Sequence, residues 1–551
     1  MAKRTLSHFA LIVALATGPA TADIDARNYL SARSASMSYD FETAAQYSVS
    51  LIQQDPGNIM LLEQALSSLI AIGDFGRASE VATQTDRHSA LIGIVQAASA
   101  GRSADWALVH DVLEANPDIG RLSTELLRGW ADIGLGETER AMATFDALAT
   151  RPGLVGFAKY HKALALIVAG EAEAAEALLS LTPEEGMPRT TRGVIAHVNL
   201  LAQLGRWDDA SILLALSFGE TPDQTISALR TALAAHMPSA SPIATTAKEG
   251  VAEAFFSVAR SLAGDDKGDQ ALFFAQLARM LNPNHADAVL LTARIYEDIE
   301  RADLALLAYG AVPQNHPAYL SAQIARAAVY RRNANPTRAT EVLTALAVQY
   351  PDIGDIQASL GDALRSLSRF EDADAAYTLA LSLYREDQQP WIIYYTRAVA
   401  RQRLDDWPGA EADYRQALVL NPGQPNVLNN LGYSLVVRGE NLTEALAMIE
   451  RAVRRDPQDG TIVDSLGWAL FQLDQTDAAL VQLERAVSLE AVDPIINDHL
   501  GDVYWTVGRL VEARFQWQRA LSLDPPSDEI DRIRRKLELG LDIVLTEEAD
   551  G

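Results

Sequence analysis

Small and apolar positions along this chain return at an interval of about 34 residues. Three segments show the beat most plainly: Asn429-Asn430-Leu431-Gly432-Tyr433, Asp464-Ser465-Leu466-Gly467-Trp468 and Asp498-His499-Leu500-Gly501-Asp502, whose glycines stand 35 and 34 residues apart. Gly501 is followed by Tyr504, Ala513, Trp517, Ala520 and Pro525; Gly432 by Leu435, Ala445, Ile449, Ala452 and Pro457, with one extra residue before Ala445. Walking back from Gly432, the small position recurs at Ala398, Gly361, Ala327, Ala293 and Ala259, in steps of 34, 37, 34, 34 and 34 residues. Ala410, Ala373, Ala339, Ala305 and Ala271 follow them on second predicted helices. The amino-terminal part keeps the beat more loosely, through Ala32, Leu66, Val95, Gly129, Ala163 and Val198, with Ala44, Ala78, Ala107, Ala141, Ala175 and Ala210 on the second helices.

Close packing accounts for the pattern. Two antiparallel helices approach only where the facing side chains are small, and larger ones such as Tyr377, Tyr414, Tyr504 and Trp517 fill the space between crossings. Pro283, Pro351 and Pro422 stand where a second helix should stop, because proline cannot continue the hydrogen-bond ladder. A single helix pair cannot cover its own apolar face, so successive pairs must stack. In its order of aromatic or leucine, Leu-Gly, aromatic, then Ala, aromatic, Ala and Pro, the sequence resembles the tetratricopeptide repeat. The resemblance implies an all-α fold, a helix-turn-helix superhelical solenoid of about fourteen repeats.

Three stretches depart from the rhythm. Lys3 and Arg4, the apolar run Phe9–Ala16, Gly18-Pro19 and Ala20-Thr21-Ala22 follow the order of a cleavable secretory signal peptide over residues 1–22. Residues 23–218 then form a degenerate N-terminal array. The segment 219–250 holds Pro222, Pro238 and Pro242 with Ser239, Ala240 and Ser241; a helix is expected through Ile226 to Ala235, and the whole reads as an irregular joint before a second array over 251–525. Residues 526–551 complete the chain. Ile530, Ile533, Leu537, Leu541 and Val544 recur there at helical spacing, as suits a capping helix over the last repeat, followed by an acidic tail. Arg532, Arg534, Arg535 and Lys536 on that helix read either as its solvated face or as a basic docking patch.

Charge and chemistry narrow the function. The chain carries 73 acidic against 46 basic residues, so phosphate backbones would be repelled and nucleic acid is not an expected partner. No cysteine is present, which excludes disulfides, thiol catalysis and thiolate-bound metals. Nothing after the signal peptide has the length and apolarity of a transmembrane helix. The nine histidines contain no pair at the i, i+4 spacing of a helical zinc site. The run Asp265-Asp266-Lys267-Gly268-Asp269 looks like the start of a calcium loop, but Gln270 stands where glycine is needed and Gln276 where a bidentate Glu belongs. Asp405-Asp406 and Asp208-Asp209 fall at turns before second helices, where carboxylates favour the helix N-terminus. No phosphate loop or nucleophile elbow is present. The expectation is a protein that is not an enzyme and uses no cofactor or metal.

The resemblance to tetratricopeptide repeats also implies a groove lined by first helices. Transferred to this chain, its positions select Ile392, Tyr395 and Thr396, then Asn426, Asn429, Asn430, Tyr433 and Val436, then Asp464, Ser465, Trp468 and Phe471, and finally Asp498, His499, Asp502 and Trp505. An Asn/Asp ladder beside aromatic faces suits an extended peptide backbone and its side chains. The same aromatics equally suit packing between repeats. Some members of the family clamp a terminal carboxylate with Lys, Asn and Arg; Asn430 matches the Asn, but Thr461 and Ser465 occupy the basic positions. The equivalent positions in the N-terminal half are mostly small or aliphatic. The layout further resembles long periplasmic tetratricopeptide adaptors of Gram-negative bacteria that partner carboxyl-terminal processing proteases, although no lipid-bearing cysteine or other lipid anchor is expected. A periplasmic scaffold binding other proteins or peptides is the leading expectation; a scaffold for envelope polysaccharide or outer-membrane assembly is the alternative.

Overall fold

The computed structural model describes residues 26–219, 223–238, 242–264 and 267–550. Their regular structure is entirely helical, with no strand among them, and they divide into two compact units, Met1–Val329 and Tyr330–Gly551. The expected signal peptide, Pro222, Ser239–Ser241 and Asp265-Asp266 lie outside the described residues.

Within each unit the helices come in antiparallel pairs, and the small residues sit where paired helices touch. A Cβ placed on Gly129 would lie 2.5 Å from the Phe145 ring; on Gly361, 2.6 Å from Tyr377; on Gly467, 2.6 Å from Leu483; on Gly501, 2.5 Å from Trp517. Gly432 meets Ile449 in the same way, one residue later because of the extra residue in its turn. A small group on the first helix thus accepts a large one from the second. Where the first helix carries Leu66 the second carries Ala82, and both are fully buried, so the volume is conserved with the roles exchanged. One assignment needs correction. Ala107 is exposed, while Ala97 and Val109 are buried; the crossing in that pair lies two residues later than the alanine pattern indicates, because the short Trp106–Ala115 helix buries Trp106 and Val109 instead.

The turns joining the two helices of a pair share one feature that composition does not announce. A single residue adopts a left-handed backbone: Gly73, Gly136, Gly170, Gly205 and Gly508, but also Tyr39, Ala104, Glu300, Ala334, Ser368, Asp405 and Asp474. The turn containing the extra residue uses two, Gly439 and Asn441. The residue that follows caps the next helix in several pairs, as Asp406 does by accepting from the Gly409 N–H at 3.2 Å.

In the first unit the helix Ala247–Ala263 lies across the first helices of three successive pairs, Ala90–Arg102, Arg121–Leu135 and Val155–Ala169. The helix Gly268–Leu281 does the same on Ile59–Ala71 and Ala90–Arg102. Gly250 permits the crossing: a Cβ there would stand 2.2 Å from the Trp130 ring. Residues on either side of the expected 219–250 joint therefore share one hydrophobic core, which runs from Ala45 to Ala288. The expected helix is present as Gln224–Ala234, but the structure puts the division of the chain at residue 329. This also explains the small and aliphatic inner positions of the N-terminal half: the chain's own helices cover them, and the Gln276 amide, donating to the Ala71 carbonyl at 2.8 Å, seals one end.

The second unit ends in the helices Ser527–Leu539 and Leu541–Asp550, with Ile533, Leu541 and Val544 buried. Among the basic residues of this cap, Arg534 and Arg535 stand on its exposed face, while Arg532 is partly buried and Lys536 fully buried. Lys536 is 0% exposed and donates to Asp498 and Asp502, each at 2.7 Å. Arg532 pairs with Glu548 at 2.8 Å, Arg534 with Asp531 at 3.3 Å, and Arg535 with Glu547. The cluster binds the cap to itself and to the last repeat.

Candidate binding groove and an internal polar cluster

In the second unit the predicted groove residues stand on the first helices Trp391–Arg403, Pro425–Val437, Gly460–Gln472 and Pro494–Thr506, and the structure sorts them into two sets. Tyr395, Asn430, Tyr433, Trp468 and Phe471 are half-buried, and Ile392 and Asn426 are exposed. Asn430 donates to the Tyr395 hydroxyl at 3.1 Å, which links neighbouring repeats and leaves its carbonyl oxygen to accept. Burial, reinforced by the negative charge of Asp464 and Glu529, pushes the Tyr433 hydroxyl up to about 12, so it remains a proton donor. Asn429 is buried, and its side-chain oxygen has no hydrogen-bond partner.

The other set is consumed by packing. His499 pairs with Asp464 at 2.9 Å, and the Trp468 ring stacks on the imidazole with centroids 4.0 Å apart. Burial alone would lower the His499 pKa; Asp464, assisted by Asp498 and Asp502, reverses the sign and raises it. Asp502 accepts from the Trp517 indole N–H at 2.8 Å as well as from Lys536. Its carboxyl is pushed up to about 6 by burial and by the neighbouring Asp498, against Lys536 and Arg532. Trp505 donates to Asp542 at 3.1 Å and lies against Gly540. Asp464, Asp498, His499, Asp502 and Trp505 thus hold the last repeats and the cap together. The stretch that can receive a ligand centres on Tyr395, Asn430, Tyr433 and Trp468.

Residues 395–460 and 465–528 match the family model described as tetratricopeptide repeat. Those two stretches carry tetratricopeptide repeats. The chain's similarity to a curated tetratricopeptide-repeat protein, the TPR repeat-containing protein PA4667 of Pseudomonas aeruginosa, is 30% identity over 152 residues, 27% of this chain. The match spans 25% of that relative's length. Solved structures similar to this chain include the APC/C hetero-tetramer Cut9-Hcn1, at 16% identity over 94% of this chain and 96% of that one, TM-score 0.41. Yeast Tom70 is similar at 13% identity over 96% of this chain and 100% of that one, TM-score 0.33.

The first unit holds a polar cluster that no motif reveals. Glu253, 1% exposed, projects from the crossing helix. Its Oε1 accepts from the Tyr160 hydroxyl and from Arg192 Nε, both at 2.8 Å. Its Oε2 accepts from Arg192 at 2.5 Å and from His285 at 3.0 Å. The proton sits on His285 Nε2 because Nδ1 accepts the Ala288 N–H at 3.2 Å. Burial by itself would raise the Glu253 carboxyl, but the Arg192 guanidinium and the His285 hydrogen bond hold it well below the usual carboxylate range. Arg192 also reaches Asp287.

Beside the cluster, His161 Nε2 lies 3.2 Å from the Ser257 oxygen, a spacing that invites comparison with a hydrolase dyad. The proton is on the wrong nitrogen for that. The Trp130 indole can only donate, and it donates to His161 Nδ1 at 3.1 Å, so Nε2 carries the hydrogen and gives it to Ser257. Burial lowers the His161 pKa to about 4, which keeps the ring neutral near pH 7. The serine is therefore not activated as a nucleophile. Among the described residues no three His, Asp or Glu side chains gather as a metal site. No described helix is long and apolar enough to cross a membrane.

Proposed function

We propose that this protein is a non-enzymatic scaffold that acts in the periplasm, holding an extended peptide segment of a partner protein against the first helices of its second unit. The observation that carries the reading is the row of Ile392, Tyr395, Asn430, Tyr433 and Trp468, partly open on successive first helices, with hydroxyl and amide groups set between aromatic faces. Aromatic side chains supply contact area at little entropic cost, and the amides answer a peptide backbone. In the finer form of the proposal the partners are a carboxyl-terminal processing protease and its substrates, as the resemblance to long periplasmic adaptors suggests.

Affinity capture from periplasm with the chain lacking residues 1–22 tests it, comparing the unaltered protein with a Tyr395→Ala, Tyr433→Ala variant. Loss of a reproducible partner from a variant that melts normally supports the groove. Identical partner sets, or capture of envelope glycan with no protein, would overturn it. Trp505→Ala is the wrong variant for this purpose, because Trp505 donates to Asp542 and packs against Gly540, so its loss would disturb the cap as well as the groove.

A further inference from the structure

A cavity of about 400 Å³ opens beside the Glu253 cluster in the first unit. Phe157, Pro188 and Phe256 give it apolar walls, and Thr190, Ser257 and Arg260 stand on its polar side. Thr190, Ser257 and Arg260 share one property: each has a hydrogen left to donate.

Both Glu253 oxygens are fully engaged by Tyr160, Arg192 and His285, so the one carboxylate at the cavity has no acceptor capacity turned towards a ligand. The Ser257 oxygen receives the His161 N–H, which frees its own hydrogen. The Thr190 oxygen accepts the Gly193 N–H at 3.0 Å, with the same result. Arg260 has no hydrogen bond or ion pair with any described residue. An unmatched guanidinium and two hydroxyl hydrogens facing an aromatic space call for an acceptor of negative charge.

We propose that this cavity binds a carboxylic acid with an apolar or aromatic body. Phe157 and Phe256 hold the body, Arg260 takes the carboxylate through charge-assisted hydrogen bonds, and Ser257 donates to it through the chain of donors that begins at Trp130. The volume falls in the range of sites that enclose small organic molecules. Two sources present this chemistry, a free organic acid and the last residue of a polypeptide. The inference stands apart from the groove of the second unit, and the Tyr395 and Tyr433 variants have no bearing on it.

Calorimetric titration of the full chain tests it with three probes: 3-phenylpropionate, acetyl-Ala-Ala-Phe with a free carboxylate, and the same peptide amidated. At least one acid should bind, with the amide weaker by about tenfold or more. Arg260→Glu should weaken the acid by about tenfold or more with an unchanged thermal melt, since Arg260 is an exposed side chain. Preference for the peptide acid assigns the site to a chain terminus, and equal affinity assigns it to a small acid. Binding of the amide as tightly as the acid, full affinity in Arg260→Glu, or no binding of either acid overturns the proposal.

Discussion

Gly467 and Ser368 show two ways a single position governs these repeats. Leu at 467 would drive its side chain into Leu483, whose Cγ lies 2.6 Å from where the first added carbon would go. Gly467→Leu should cost about 1–3 kcal/mol by overpacking, while Gln472→Leu, at an exposed position on the same helix, should stay within about 0.5 kcal/mol. Thermal melts of the two variants check the contrast. Ser368 sits in the turn with φ +58°, a conformation that costs a non-glycine residue about 1–2 kcal/mol. Ser368→Gly should therefore raise stability by up to about 1 kcal/mol in chemical denaturation. The first of these sites is legible in the sequence, because a glycine recurring opposite a large residue marks a crossing. The second is not: Tyr39, Ala104 and Glu300 adopt the same backbone, and nothing in their side chains announces it.

Between helices, charge does what apolar spacing cannot. Lys536 lies between two buried carboxylates, and Lys536→Met would leave Asp498 and Asp502 with only the more distant Arg532, 3.8 and 4.0 Å away, to offset their charge. Breaking a buried pair of this kind costs about 3–5 kcal/mol, and hydrogen exchange should locate the loss in Pro494–Thr506 and Ser527–Leu539. The His499–Asp464 pair adds a dependence on pH. The folded pKa of His499 is raised, so its stabilisation is complete below the unfolded value of about 6.5 and fades as pH climbs through the folded value. The stability difference between the unaltered protein and His499→Gln should accordingly shrink with rising pH in paired denaturation curves. The sequence places Asp464, Asp498, His499 and Asp502 on first helices, which is correct. It cannot say that a lysine 34 residues beyond Asp502 reaches back to bury them, since spacing describes a helix face and not what comes to cover it. The same blindness hides Glu253, whose partners Arg192 and Tyr160 lie 61 and 93 residues away in sequence.

At the scale of the molecule, two compact units replace the two arrays that the proline-rich segment suggests. Glu253→Ala should destabilise the first by about 3–5 kcal/mol, because Arg192 would be left buried without its main partner. Exchange protection of the helices around Gly432, Gly467 and Gly501 should be unchanged, and a uniform loss across both units would contradict the division. The crossing helix also sets a timetable for the newborn chain. Trp130, Tyr160 and His161 need Gly250, Glu253 and Ser257 above them, so the chain must emerge past residue 257 before the inner wall of the first unit can be roofed. Until then that wall is an open apolar trough, and a helper that shields nascent chains would find its natural foothold there.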